Sequence, residues 1–256
     1  MSSALLLAAG KATRLLDIRD QFAKACVPIS GTSPLEFLIR RLHFHGVREL
    51  WINLHWQKEQ VQARAQLHAP SGMQLHFLEE NSLLGTGGTL LRCKQMRGEI
   101  PDLVLNAKMF TDLDFSQLLA SPPGTLALHP KSNLREFGGL KYDDQRNVTG
   151  LFPLAEARAL ASEKTFSTAG IQAAVYTGIA RPHPEWMRHL EDCMADQSQA
   201  PHCLLRHGVF PAMAAGVPCK AFFHAGWWCE ISTPERIQEA EALLNSMEQK
   251  HPLGFD

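Results

Sequence analysis

The chain has 256 residues, 45% of them apolar, and its 25 Lys and Arg nearly balance 26 Asp and Glu for a formal net charge of −1. That length supports one large domain or two small ones around a substantial core. The absent basic excess excludes a nucleic-acid groove or a polybasic membrane patch as a main surface, so any anionic small molecule must be met by local cations.

No stretch reaches the ~20 apolar residues that a membrane helix needs. The N-terminal apolar run is short and has no basic segment before it, which does not read as a signal peptide. Six cysteines stand at 26, 93, 193, 203, 219 and 229 with no C-x-x-C pair. That spacing argues against a zinc or thioredoxin-type site and for buried thiols in a reducing cytoplasm, the expected location.

In chain order, residues 4–8 are short, continuous and apolar, as a buried strand should be. Ser33-Pro34-Leu35-Glu36 is a capping box with Pro at the first helical position. Leu35, Leu38, Ile39 and Leu42 come next at helical spacing, and Gly46 ends the helix. Residues 50–54 read as a second strand, 57–67 as a second helix and 75–78 as a third strand. Gly85-Thr86-Gly87-Gly88 is a turn opening a helix near 89–96. A fourth strand stands at 103–105 and a short helix at 114–120. This alternation predicts an α/β protein whose mostly parallel, Rossmann-like sheet is flanked by helices and binds its ligand at the strands' C-terminal ends.

The second half changes character. Residues 126–129, 139–142, 148–152 and 172–176 read as strands joined by short turns, with a hairpin loop at 143–147 and a connection at 162–168. They predict a small antiparallel extension. Thr233-Pro234-Glu235 caps and restarts a helix running to about residue 247, and the last residues are expected to fray. The whole chain, 1–256, reads as one domain in two halves, residues 1–120 and 121–250.

The end of the first strand carries the chemistry. An apolar run enters a glycine turn, Ala8-Ala9-Gly10-Lys11-Ala12-Thr13-Arg14, with Lys24 soon after. Backbone N–H groups and cations placed there face anionic oxygens. These residues resemble the sugar-1-phosphate nucleotidylyltransferase family, whose opening pattern is L-A-A-G-x-G-T-R-L and then P-K-x-L-x-P-V. The chain has Leu7 to Leu15 in that register, then Ala23-Lys24-Ala25-Cys26-Val27-Pro28. Ile52-Asn53-Leu54-His55 resembles the family's I-N-x-H, Leu84 to Gly88 its L-G-T-A-G, and Asn106 to Asp112 its N-G-D segment. Gly226 to Pro234 resembles G-Y-W-x-D-I-G-T-P. The short length and the I-N-x-H segment are similar to the branch that includes N-acetylmuramate-1-phosphate uridylyltransferases.

The resemblance implies transfer of NMP from an NTP to a sugar 1-phosphate with release of pyrophosphate. It places Arg14 and Lys24 as catalytic cations. Ala8, Ala9, Gly10, Lys11, Thr13, Gly85, Thr86, Gly87, Gly88 and Lys108 would bind the nucleotide, and Asn106, Gly139 and Gly170 the substrate sugar. Glu230 and Asp112 are the carboxylates open to Mg²⁺, the implied cofactor.

Several positions depart from the pattern. Ala12 replaces a glycine that permits positive φ and close phosphate approach. Lys108 stands where the family carries a metal-binding Asp, and an ammonium has no lone pair for Mg²⁺. Lys108 is open to two readings. It replaces the Asp–metal unit electrostatically, since both carry a single positive charge, or it points to solvent and pairs with Asp112. Asp112 is open in turn to a shifted metal site with Glu230 or to capping the next helix. The family's E-K-P segment is absent from Gly150-Leu151-Phe152-Pro153-Leu154. That loss suits two alternatives: a catalytically impaired protein that binds a nucleotide or sugar nucleotide or serves as a regulatory partner, and a cytidylyltransferase acting on phosphocholine or a similar phosphorylated alcohol.

Overall fold

The structure, a computed structural model, describes residues 1–15, 18–159, 172–195 and 201–250. The expected connection at 162–168 and the expected sugar contact at Gly170 fall outside the described residues. The chain divides into two compact units. One comprises Met1–Leu83, Asn106–Asp112 and Trp228–Asp256, the other Leu84–Leu105 and Leu113–Trp227.

In the first unit the strand Ser2–Leu7 lies parallel to Val47–Leu54, which lies parallel to Gln74–Glu79. Ala4, Leu5 and Leu6 are fully buried, which is why the first strand is continuous rather than alternating in sequence. The intervening helices are Pro34–Phe44 and Lys58–His68. In the former, the Ser33 side chain accepts from the Glu36 amide and Pro34 occupies the first position. The Glu36 carboxylate does not complete a capping box. It sits 2.7 Å from Arg64 on the second helix. Leu35, Leu38, Ile39 and Leu42 form the buried stripe, and Gly46 ends the helix at φ 89°. A short antiparallel pair, Met109–Thr111 with Trp228–Glu230, sets Met109 opposite Glu230. Phe110 of that pair meets Phe37 edge to face at 5.2 Å. The helix Pro234–Lys250 starts at Thr233, whose hydroxyl faces the Arg236 amide at 3.5 Å.

In the second unit the strand Ala173–Arg181 runs antiparallel to Thr125–His129 and to the strand containing Val104 and Leu105. Lys220–Phe223 runs parallel to Thr125–His129. The hairpin Gly139–Tyr142 with Val148–Phe152 adds the antiparallel extension expected from the sequence. Its loop is held by Asp143, which accepts from the amides of Gln145 and Asn147, with Arg146 at φ 61°. Helical segments not expected from the sequence include Leu134–Phe137, Leu154–Ala159, Pro184–Ala195, Leu204–Val209 and Phe210–Ala214.

Two local expectations need correction. Gly85 to Gly88 do not form a turn ahead of a helix; they are the first turn of the helix Gly85–Arg97 itself. The cap of the helix Phe115–Ala120 is Asp114, which accepts from the amides of Ser116 and Gln117, and not Asp112. Among the described residues no helix is long and apolar enough to cross a membrane.

Candidate functional site

The first strand ends at Leu7, and the loop beyond it is braced from the second strand. The Ala8 and Ala9 amides donate to Asn53 Oδ1 at 2.6 and 3.2 Å. Asn53 Nδ2 donates to Glu80 Oε1 at 2.9 Å, and His55 Nδ1 lies 2.8 Å from the Glu80 carbonyl. Asn53 and Glu80 are buried. The I-N-x-H segment therefore acts as a polar brace under the loop, and the amides of Ala8 and Ala9 are spent on Asn53 rather than offered to a ligand. Gly10 is exposed, with open space where a side chain would stand. Lys11, Thr13 and Arg14 are exposed beside it. Ala12 is buried at φ 52°. A Cβ in this left-handed conformation costs about 1–2 kcal/mol.

Charge concentrates further along the same unit. Lys24 opens the single turn Lys24–Cys26 and is half-buried. Burial pushes its ammonium pKa down to about 8, helped by Lys108 and Arg14, while Glu230 opposes and Arg236 adds to the depression. Lys108 Nζ lies 2.9 Å from Glu230 Oε2 and 3.3 Å from Ser232 Oγ. The Ser232 hydroxyl also donates to Glu230 Oε2, and Arg236 forms an ion pair with Glu230 Oε1. Burial alone would push the Glu230 carboxyl up. Lys108 first, then Ser232 and Arg236, outweigh it and hold the group below the usual carboxylate range. The pairing of the two short strands assembles this constellation, since the Ile231 amide donates to the Lys108 carbonyl at 3.0 Å. Lys108 and Arg236 thus clamp a single buried carboxylate, and Lys24 feels the charges of both as well as of Arg14. The excess positive charge suits a polyanion.

Lys108 pairs with Glu230, which corrects the expectation that it points to solvent beside Asp112. Arg236 has no place in the family's motifs and is absent from the residues that the sequence singles out. A signal for it exists, because a cation in the first turn of a helix opposes the macrodipole and needs a carboxylate partner. The arrangement tests the implied Mg²⁺ directly. Both Glu230 oxygens already accept from cations or a hydroxyl, and the nearby ammonium and guanidinium repel a second cation. The residues around Glu230 do not fit a magnesium ion. Asp112 is exposed, and Asn106 is half-buried at the end of its strand.

The glycines of the second unit answer to packing. Gly87 and Gly88 donate to the His202 carbonyl at 2.8 and 3.4 Å, His202 donates to the Leu84 carbonyl, and Thr86 Oγ1 accepts from the Leu204 amide. A Cβ on Gly85 would stand 2.5 Å from the His202 carbonyl oxygen, and one on Gly87 2.5 Å from Leu190 Cδ2. At Gly139 it would collide with the Ala174 carbonyl oxygen. Gln172 donates to Asp144 in the hairpin.

The nucleotidyl transferase family profile matches residues 3–178. Low-salt glycan biosynthesis nucleotidyltransferase Agl11 of Haloferax volcanii is 26% identical over 94% of this chain and 65% of its own length. N-acetylmuramate alpha-1-phosphate uridylyltransferase of Neisseria meningitidis is 24% identical over 95% of this chain and 98% of its own. The chain spans just under two thirds of the length of several relatives it matches, including 64% of mannose-1-phosphate guanylyltransferase of Mycobacterium tuberculosis. Among solved structures, HddC of Yersinia pseudotuberculosis superposes with a TM-score of 0.70 at 19% identity, covering 95% of this chain and 100% of that one. CTP:phosphocholine cytidylyltransferase of Streptococcus pneumoniae gives 0.68 at 15% identity over the same shares. These likenesses establish the fold. With its profile aligned to well over half of the sequence, the protein belongs to the nucleotidyl transferase family.

Proposed function

We propose that the protein transfers NMP from a nucleoside triphosphate to a sugar 1-phosphate and releases pyrophosphate. The observation that carries this reading is the electrostatic coupling of Lys24 to Arg14, Lys108 and Arg236, with one buried carboxylate, Glu230, held by the last two, in a member of this family. An oxygen of the sugar phosphate attacks the α-phosphorus, the bond from that phosphorus to the bridging oxygen breaks, and pyrophosphate leaves. Such an in-line displacement asks the protein for positioning and charge stabilisation rather than covalent chemistry. Lys24, protonated at neutral pH, neutralises the reacting phosphates, and Arg14 holds the triphosphate. Lys108 and Arg236, fixed by Glu230, supply positive charge where the family generally relies on a divalent metal.

The same ion pair favours a second reading, a nucleotide-binding protein with weakened transfer. A metal also aligns attacking and leaving oxygens, and a lysine does not reproduce that template. Pyrophosphate release, measured across the NTPs with sugar 1-phosphates and with phosphocholine, separates the readings. Turnover with a sugar 1-phosphate supports the first. Tight nucleotide binding without turnover supports the second, and turnover with phosphocholine alone replaces the acceptor class.

A further inference from the structure

We propose that Cys193, His202 and His207 form a site for a borderline-soft divalent transition-metal ion, with zinc the best match to the donors. Cys193 lies near the end of the helix Pro184–Ala195, while His202 and His207 flank the start of the segment Leu204–Val209. Cys193 Sγ stands 3.9 Å from His202 Nδ1, and one ligand atom from each of the three residues lies within 4.8 Å of the other two. Tetrahedral zinc with ordinary Zn–S and Zn–N bonds needs donor separations of ~3.4–3.6 Å, so side-chain adjustments of roughly 1 Å close the site. A thiol with two imidazoles selects zinc-like ions over magnesium or calcium, which want oxygen. The two histidines are separated by four residues, within the spacing that zinc sites use, but the thiol lies nine residues upstream on another helix. That separation hides the site from a search for C-x-x-C pairs. Three protein donors leave the fourth position to water.

His207 Nδ1 accepts from the Cys203 amide at 2.9 Å, which places the ring proton on Nε2. Metal binding at Nε2 moves that proton to Nδ1 and releases the amide, and Cys193 loses its thiol proton. Two protons therefore need accounting, one relocated and one released, and affinity rises with pH. The consequence lies in the backbone. His202 is the residue whose carbonyl takes the Gly87 and Gly88 amides and whose amide binds the Leu84 carbonyl. An ion on its imidazole pins the segment that backs the glycine-rich first turn of the helix Gly85–Arg97. The site stands on its own donors, whether or not the chain transfers nucleotides.

The test uses the full chain, stripped with EDTA and titrated with Co²⁺ as an optical probe, then with Zn²⁺ in competition. One ion per chain is expected, with a cobalt–thiolate charge-transfer absorption that Zn²⁺ bleaches. Cys193→Ser abolishes the absorption and weakens Zn²⁺ by at least about 100-fold, the upper end of what losing a supporting residue costs. Cys203→Ser leaves the absorption in place. His207→Ala, at a half-buried position, lowers Zn²⁺ affinity as Cys193→Ser does and carries the test if the serine variant fails to fold. No absorption from the natural chain, or absorption intact in Cys193→Ser, overturns the site.

Discussion

Lys108→Met keeps the aliphatic stem and deletes the ammonium, and its effects can be worked from the geometry. At 2.9 Å from Glu230, a pair in an effective dielectric of ~20 attracts by about 6 kcal/mol before desolvation. Lys108 is 31% exposed, so water already shares its charge, and Arg236 keeps the other carboxylate oxygen. The net loss of stability is then about 1–2 kcal/mol, between a surface pair and a broken buried one. In a chain of this size it lowers Tm by roughly 3–6 °C. Nucleotide binding suffers separately, because the triphosphate loses one cation and gains a less compensated carboxylate nearby. A further about 1–2 kcal/mol, roughly 5–30-fold in Kd, is expected at low salt. The gap should narrow at high ionic strength. Calorimetric titration of each NTP in EDTA reads the affinity, and thermal unfolding reads the fold. A lower Tm with unchanged metal-free affinity would refute this role, because Lys108 would then serve only the fold.

Lys24 gives a pH prediction. Its folded pKa of about 8 lies below the ordinary 10.5, so keeping it charged costs stability below about pH 8, and that cost fades as pH rises toward 10.5. A bound triphosphate favours the charged form, so nucleotide affinity should fall as pH climbs through about 8; a flat profile from pH 7 to 9 contradicts the assignment. Ala12→Gly relieves left-handed strain worth about 1–2 kcal/mol and frees the unfolded chain by about 0.5–1 kcal/mol, for a net gain of roughly 0–1.5 kcal/mol in urea unfolding. A clear loss of stability would show that the Cβ of Ala12 packs productively. Asn53→Ala strands the amides of Ala8 and Ala9 together with Glu80, and should cost about 2–4 kcal/mol in the same assay. A loss below about 0.5 kcal/mol would mean that water replaces the brace.

The parallel half of the fold is legible in the sequence because its signals are local. Apolar runs, the cap at Ser33 and the glycine at 46 each act within a few residues of where they stand. The helix Pro184–Ala195 is harder to read, although Trp186, Met187 and Leu190 carry its buried stripe. The site divides in the same way. Lys24 and Arg14 announce themselves through the glycine turn. The partnership of Lys108 with Glu230 joins residues 122 positions apart, and only the pairing of two three-residue strands brings them together. The glycines at 85, 87 and 88 have a packing role that the sequence alone does not show. The close approach at Gly85 is by the backbone of His202, and at Gly87 by the Leu190 side chain, each more than a hundred positions away.

The most direct measurement is pyrophosphate release by the natural chain from each NTP with a panel of sugar 1-phosphates, in Mg²⁺ and again in EDTA, beside Lys108→Asp. The predicted result is turnover by the natural chain with at least one nucleotide–sugar pair. Silence from the natural chain across the panel would contradict the proposed transfer, and turnover restored by Lys108→Asp would assign the loss to that one ammonium.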